Sequence, residues 1–278
     1  MESSVEAVVT LPGGLLLEDG RLVRRAVLRS PTGREEEWLA DHAGPIPPAV
    51  TTLIAACLVE LEGLTVDRAV ARRLLVGDRD YLVLQLRKLS LGDAVQAVAS
   101  CPACQEKLDI DFNIADIPIK ERPGTASTYS VDLARRGRAR RRVHFRLPTG
   151  ADQEALAESD PADPVEVLFR RCLVDDDGER LSATDRAAVI DEIEAQSPEI
   201  DLELDLVCPA CERSFILPFD TTSFFLSELR RNGRRLLEQV HLLALHYHWT
   251  ETDILGLTSA RRRRYLALLG ESLGPVQA

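Results

Sequence analysis

No run of about 18 apolar residues occurs in this chain, which excludes a hydrophobic membrane-spanning helix and leaves no membrane partner to expect. The N-terminal stretch is acidic and lacks the basic start of a secretory leader, so the expected compartment is cytoplasmic. Six cysteines in 278 residues are too few for a disulfide scaffold, and reducing conditions would keep them as thiols. Basic charge is also short. A formal charge of −11 and a pI near 5.1 argue against a general nucleic-acid or anionic-membrane binder. Catalytic signatures are missing as well: there is no nucleophile–base pair, no glycine-rich nucleotide fingerprint, no HExxH and no G-x-S-x-G. Nothing here argues for an enzyme or a small-molecule substrate.

What is present is ample apolar material, 45% of residues beside 28% charged, enough for one large domain or two modest ones. Within it the tetrapeptide C-P-A-C occurs twice, at Cys101–Cys104 and Cys208–Cys211, each between two strand-like runs and each followed eight residues later by Phe (Phe112 and Phe219). Two more boxes repeat in the same order. "AVLRSPTGREEEWLA" aligns with "VHFRLPTGADQEALA", and "AACLVE" aligns with "RRCLVD". The three offsets are 117, 115 and 107 residues, so order is kept while spacing shrinks. Three ordered coincidences indicate an internal duplication, two copies of one supersecondary unit.

Each copy reads alike. A strand (Leu22–Leu28; Arg142–Leu147) ends in Pro-Thr-Gly, whose Thr32 or Thr149 can cap a first helix with early acidic residues. A second helix carries the Cys-Leu-Val box, running to Gly63 in one copy and starting at Pro164 in the other. Helices over Asp67–Leu75 and Asp78–Leu89, or over Ser182–Ala195, lead to the strand–CPAC–strand hairpin. The fold class expected is α+β: a duplicated strand–helix–helix–knuckle-hairpin unit arranged about a pseudo-twofold axis, plus a C-terminal helical extension. The expected division is 1–120 for the first unit, 121–138 for an Arg/Gly/Ser-rich linker or loop, 139–221 for the second unit and 222–278 for the extension. The extension reads as one long amphipathic helix from Thr222 or Ser223, then a short helix and a final one, with its apolar stripe assigned to the core.

Structural zinc takes four ligands, commonly thiolates, and two residues between paired cysteines let one tight turn present both sulfurs to one ion. Pro after the first Cys fixes that turn. A redox Cys-x-x-Cys instead opens a helix, whereas "EKLDIDF" and "RSFILPF" look extended. Neither motif has a neighbouring Cys or His to complete four ligands. Packing of the two copies would bring Cys101, Cys104, Cys208 and Cys211 into a single structural zinc site, one per chain. Redox chemistry and unmetallated buried thiols are the competing readings. Cys57 and Cys172 fall inside apolar helical faces and read as core residues.

Other features have plainer readings. The Pro-Thr-Gly boxes lack the Lys and second Gly of a phosphate loop and read as capped strand-to-helix turns. Asp175–Asp177 lacks calcium-loop spacing and reads as a solvated turn. His241, His246 and His248 cannot all share one helical face, so ordinary histidines are expected. Arg135–Arg142 and Arg261–Arg264 read as solvated loops or protein-docking patches in a net acidic chain.

The segments "LPGGLLLEDGRLVRRAVLRSPTGREEEWLA", "LLVGDRDYLVLQLRKLSLGD" before the first CPAC, "RLPTGADQEALA", the second CPAC and the tail "LLALHYHWTETDILGLTSARRRRYLALL" are together similar to one family. The chain resembles the T4-like phage baseplate proteins, meaning baseplate hub subunits and hub assembly chaperones, over Leu11 to Leu269. Relatives occur in clusters for phage-tail-like contractile injection systems. The resemblance implies a non-enzymatic role in building the baseplate hub, with hub, spike or other tail proteins as partners. It places the protein in the producing cell's cytoplasm or in a phage-tail-like particle. Both CPAC pairs match the zinc-bearing form of the pattern. The alternative is a zinc-ribbon-type module binding nucleic acid or a transcription partner through the arginine runs.

Overall fold

Strand alternation near the N-terminus builds the first sheet of an α+β fold. The computed structural model describes residues 6–133, 141–174, 181–200 and 202–273. β1 (Glu6–Leu16) pairs antiparallel with β2 (Leu22–Arg29), with a register shift between Thr10 and Leu15 that accommodates Gly13-Gly14. α1 (Gly33–Asp41) follows the Pro-Thr-Gly turn, and α2 (Ile46–Cys57) starts with Pro47 and Pro48 in its first turn, where the missing N–H groups cost nothing. α2 stops at Cys57 rather than running on to Gly63. Leu58–Leu61 is instead β3, antiparallel on β2. A bulge at Val59 in the pairing with β2 lets both Leu58 and Leu61 turn inward, 1% and 0% exposed, while Val59 faces out at 46%.

α3 (Arg68–Arg73) is capped by Asp67, whose carboxylate accepts from the Val70 N–H at 2.8 Å. α4 (Val76–Leu91) is the central helix and ends at Gly92, whose φ of +93° suits glycine. The first CPAC hairpin is β4 (Ala94–Ser100) with β5 (Lys107–Asn113), followed by the short β6 (Ile119–Lys120). Part of the expected linker is strand, because β7 (Tyr129–Leu133) pairs with β8 (Arg141–Phe145). Most of the Arg135–Arg142 run, and Asp175–Asp177, lie outside the described residues. α5 (Gly150–Ser159), α6 (Pro164–Cys172) and α7 (Ala183–Gln196) come next. β9 (Glu199–Ile200) pairs with β6, and β10 (Glu203–Val207) with β11 (Ser214–Pro218) forms the second CPAC hairpin.

The extension is α8 (Thr221–Arg234), α9 (Leu236–Tyr247), α10 (Glu251–Leu255) and α11 (Ser259–Leu273). The single long helix expected from Thr222 is thus two, separated at Arg235 just past Gly233, the weakest helix former of the stretch. Its apolar residues divide accordingly. Phe225, Leu226 and Leu229 enter the main core of β1–β3, α2 and α4, while Leu236, Val240 and Leu243 form a small core with α10. A third core joins β7–β8 to α6 and α7 through Phe145, Phe169 and Val189. Cys57 and Cys172 lie in these interiors at 0% and 1% exposure, and burial pushes their thiols up to about 12 and about 11. They are inert packing residues.

The two Pro-Thr-Gly turns are built and held alike. Thr32 donates its N–H and hydroxyl to Glu35 at 2.7 and 2.6 Å; Thr149 does the same to Asp152 at 3.0 and 2.9 Å. The arginine three residues before each threonine grips that carboxylate: Arg29 reaches Glu35 at 2.7 Å and Arg146 reaches Asp152 at 2.7 and 2.9 Å. Each glycine N–H then donates to a leucine carbonyl, Gly33 to Leu257 at 3.1 Å and Gly150 to Leu74 at 3.0 Å. Five residues past each leucine a buried arginine lies over the glycine: Arg79 over Gly150, where a Cβ would collide with it, and Arg262 over Gly33, where a Cβ would be in tight contact.

Arg79 donates to Thr51, Ala71 and Pro47 oxygens at 2.9–3.0 Å and to Gln153 at 3.0 Å, stitching α2 and α3 to α5. Arg262 pairs with Glu36 and donates to Gln239 at 3.0 Å. The Arg261–Arg264 run is therefore only partly a solvated patch. Arg262 is 1% exposed, because the fork of a guanidinium can satisfy its donors over a side-chain-free glycine.

Candidate metal centre

Each CPAC sits at the tip of its hairpin and closes it with the same hydrogen bonds. The Cys101 N–H donates to Glu106 O at 2.8 Å and the Gln105 N–H to Cys101 O at 2.9 Å; Cys208 to Arg213 and Glu212 to Cys208 repeat this at 3.0 and 2.9 Å. The residue after the second cysteine is left-handed in both, Gln105 at φ +63° and Glu212 at φ +57°. That backbone reversal turns both sulfurs of a tip to one side. The Ala103 N–H also points at Cys101 Sγ, 3.4 Å away. The flanking strands are extended, as expected, and neither motif opens a helix.

The two tips meet. All four sulfurs lie within 4.8 Å of one another, with Cys101–Cys211 at 3.8 Å and Cys104–Cys208 at 3.5 Å. A tetrahedron of sulfurs about 2.3 Å from a zinc ion has edges of about 3.8 Å, whereas a disulfide needs about 2.05 Å. The spacing suits a tetrahedral metal and not two disulfides. Cys101 and Cys208 are fully buried against Leu108 and Phe215, and Cys104 and Cys211 are exposed. The hairpins touch again at their bases, where the rings of Phe112 and Phe219 pack edge-on at 5.2 Å.

Electrostatics also suit a cation. Backbone donors, the Cys104 N–H foremost, hold the Cys101 thiol down at about 7. The Glu106 N–H favours the Cys104 thiolate too, yet the neighbouring thiols, Cys208 first, drive Cys104 up to about 12. Four thiolates this close repel one another, and a divalent cation at their centre reverses that repulsion. The arrangement is positioned to hold a metal ion through four protein ligands.

Among the described residues this is the one group of three or more metal-type side chains within reach of a common ion. His241, His246 and His248 lie exposed on or just past α9 and are not brought together. The feature that sequence reasoning missed is the pair Arg79 and Arg262. Each lies five residues past the leucine whose carbonyl receives the glycine N–H, a spacing that acquires meaning only once the structure pairs leucine with glycine. No helix of the described residues is long and apolar enough to cross a membrane.

No curated protein and no solved structure matches the chain. A family described as T4 bacteriophage base plate protein matches residues 25–226, a span holding both Pro-Thr-Gly turns and both cysteine pairs. By a match over most of its length, the chain belongs to the T4 bacteriophage base plate protein family.

Proposed function

We propose that this protein is a non-enzymatic structural or assembly factor, a chaperone or adaptor, for the baseplate hub of a phage tail or phage-tail-like contractile injection system. The observation that carries the proposal is the family match together with four thiols gathered from two distant hairpins. In this reading the metal is a single structural zinc ion held by Cys101, Cys104, Cys208 and Cys211. Its binding free energy counts as folding free energy, with apparent values of about 10–16 kcal/mol for structural zinc in small peptides. The chain is an internal duplication: residues 1–120 and 139–221 are the two units, 121–138 joins them and 222–278 is the helical extension. Like hydrogen bonds in the two turns and the two knuckles support this division, as do Phe112 and Phe219 meeting each other. Zinc then clamps the two units at their pseudo-twofold junction and makes a rigid adaptor for hub, spike or other tail proteins.

The test is affinity purification from cells expressing the neighbouring tail genes. Hub, spike or tape-measure proteins are expected with the tagged chain, and association with no tail component overturns the reading. Metal analysis should return one zinc per chain. Cys104→Ser is expected to lose it and to lower the melting temperature by at least about 10 °C. Salt-sensitive binding of DNA or RNA would instead favour the nucleic-acid reading. Burial of Arg262 takes one residue out of that reading's basic surface.

A further inference from the structure

The second hairpin has an unusual surface. No side chain of β10 or β11 is buried, although the hairpin holds Leu204, Leu206, Val207, Phe215, Ile216 and Leu217. Val207 and Ile216 are 63% and 58% exposed on the outer face, and the four inner residues are half covered. A lone two-stranded hairpin is marginal in water, and among the described residues β10 has no neighbour beyond β11. The outer edge of β11 is blunted by Pro218, which has no N–H to offer. The outer edge of β10 has no such block and presents a row of backbone donors and acceptors.

Side-chain chemistry along β10 indicates what fits that edge. Glu203 and Asp205 point outward on the face that carries Val207, while Leu204 and Leu206 point inward. A strand laid against β10 sets alternate residues beside the carboxylates and the rest beside the leucines. Two copies of this chain pairing edge to edge would bring carboxylates against carboxylates, which is destabilising. We infer that the free edge of β10 is a docking site for an extended segment of a partner protein that alternates apolar with basic residues. This adds a third strand to the hairpin. It rests on the assembly role proposed above, for which it names the mode of partner capture. The metal-clamped tip holds the hairpin in place for docking.

The experiment uses the full-length, zinc-loaded protein and three fluorescent decapeptides. One alternates Val with Arg, one alternates Val with Glu, and one is the Val-Arg peptide N-methylated at every second amide. Binding is read by anisotropy, and backbone protection by hydrogen exchange over residues 203–207. The Val-Arg peptide is expected to bind and to slow exchange in β10, while the other two bind at least about tenfold more weakly. Glu203→Lys with Asp205→Lys, both exposed and compatible with full metal content, should exchange the preference to the Val-Glu peptide. No binding by the metal-loaded protein, equal binding of all three peptides, or unchanged preference in the double variant would overturn the inference, as would a dimer through this edge in sedimentation. Tail proteins that still co-purify with the double variant would sink strand docking while leaving the assembly role intact. Peptide capture by a chain that never associates with tail components would sink the assembly role and leave strand docking standing.

Discussion

Hairpin β4–β5 buries Val95, Leu108 and Ile110 to 3%, 7% and 5% exposure, whereas β10–β11 buries no side chain at all. The tips nevertheless share the same two backbone hydrogen bonds and the same left-handed residue after the second cysteine. The first hairpin lies over α4, where Val95 packs with Leu84 and Ile114. The second leans on the first through the cysteine cluster, Leu108 and Phe215. Two hairpin tips can thus be alike while the strands beneath them are packed differently. What apolar burial does not hold at β10–β11 is left to the four-cysteine cluster and the Phe112–Phe219 contact.

The largest effect should come from removing the clamp. With Cys208→Ser, amides of 203–218 are expected to lose protection on the order of 100-fold in hydrogen exchange, while those of 94–113 lose less than about tenfold. Equal loss in both would break the comparison. Core truncation should run the other way. Ile110→Ala should cost about 3 kcal/mol in urea unfolding, and Leu217→Ala only about 1 kcal/mol, because one leaves a cavity and the other thins a half-wet surface.

Acid probes two carboxylates outside the hairpins, and the curves are read on metal-free protein because protonation of the thiols would otherwise release a bound ion. Asp152 is held down at about 2: burial opposes ionisation, but Arg146 and Thr149 outweigh it. A lowered folded value means its contribution, about 2 kcal/mol, is present above pH 4 and is lost as pH falls towards 2. Asp78 behaves oppositely. Burial raises it to about 6 against the N–H of Gly13, so its contribution is full below pH 4 and lost as pH rises through 6. Asp152→Asn should flatten the acid limb of a stability–pH curve, and Asp78→Asn the limb between pH 4 and 6. The smallest effect is the ring contact, where a double-mutant cycle on Phe112→Ala and Phe219→Ala should give a coupling of about 1 kcal/mol.

Much of this was legible beforehand. Local chemistry announces itself in sequence: Thr32 and Thr149, each with a carboxylate three residues on, read as caps and form capping boxes. The four-cysteine grouping was legible too, through repetition rather than spacing. Four readings departed from the structure for tertiary reasons; one is the linker, where Tyr129–Leu133 becomes strand only because β8 pairs with it. β3 looked like the end of α2 because Leu58–Leu61 is apolar in either period, and only β2 beside it selects the extended form. The tail looked like one helix because nothing local marks a stop at Arg235 except Gly233. Arg262 looked like one of four surface arginines, since no rule of sequence says which of four will find a glycine to cover.

The sequence by itself determined the elements whose causes lie within a few residues: the capped turns, the knuckles with their paired sulfurs, and an α+β alternation of periods. The tertiary structure alone decided which leucine carbonyls receive Gly33 and Gly150, which arginines go inside, and why one hairpin is buried and its counterpart is not. Those outcomes depend on contacts between residues far apart in the chain, such as Gly33 and Leu257. Such contacts form only when several elements have packed, so no local pattern encodes them.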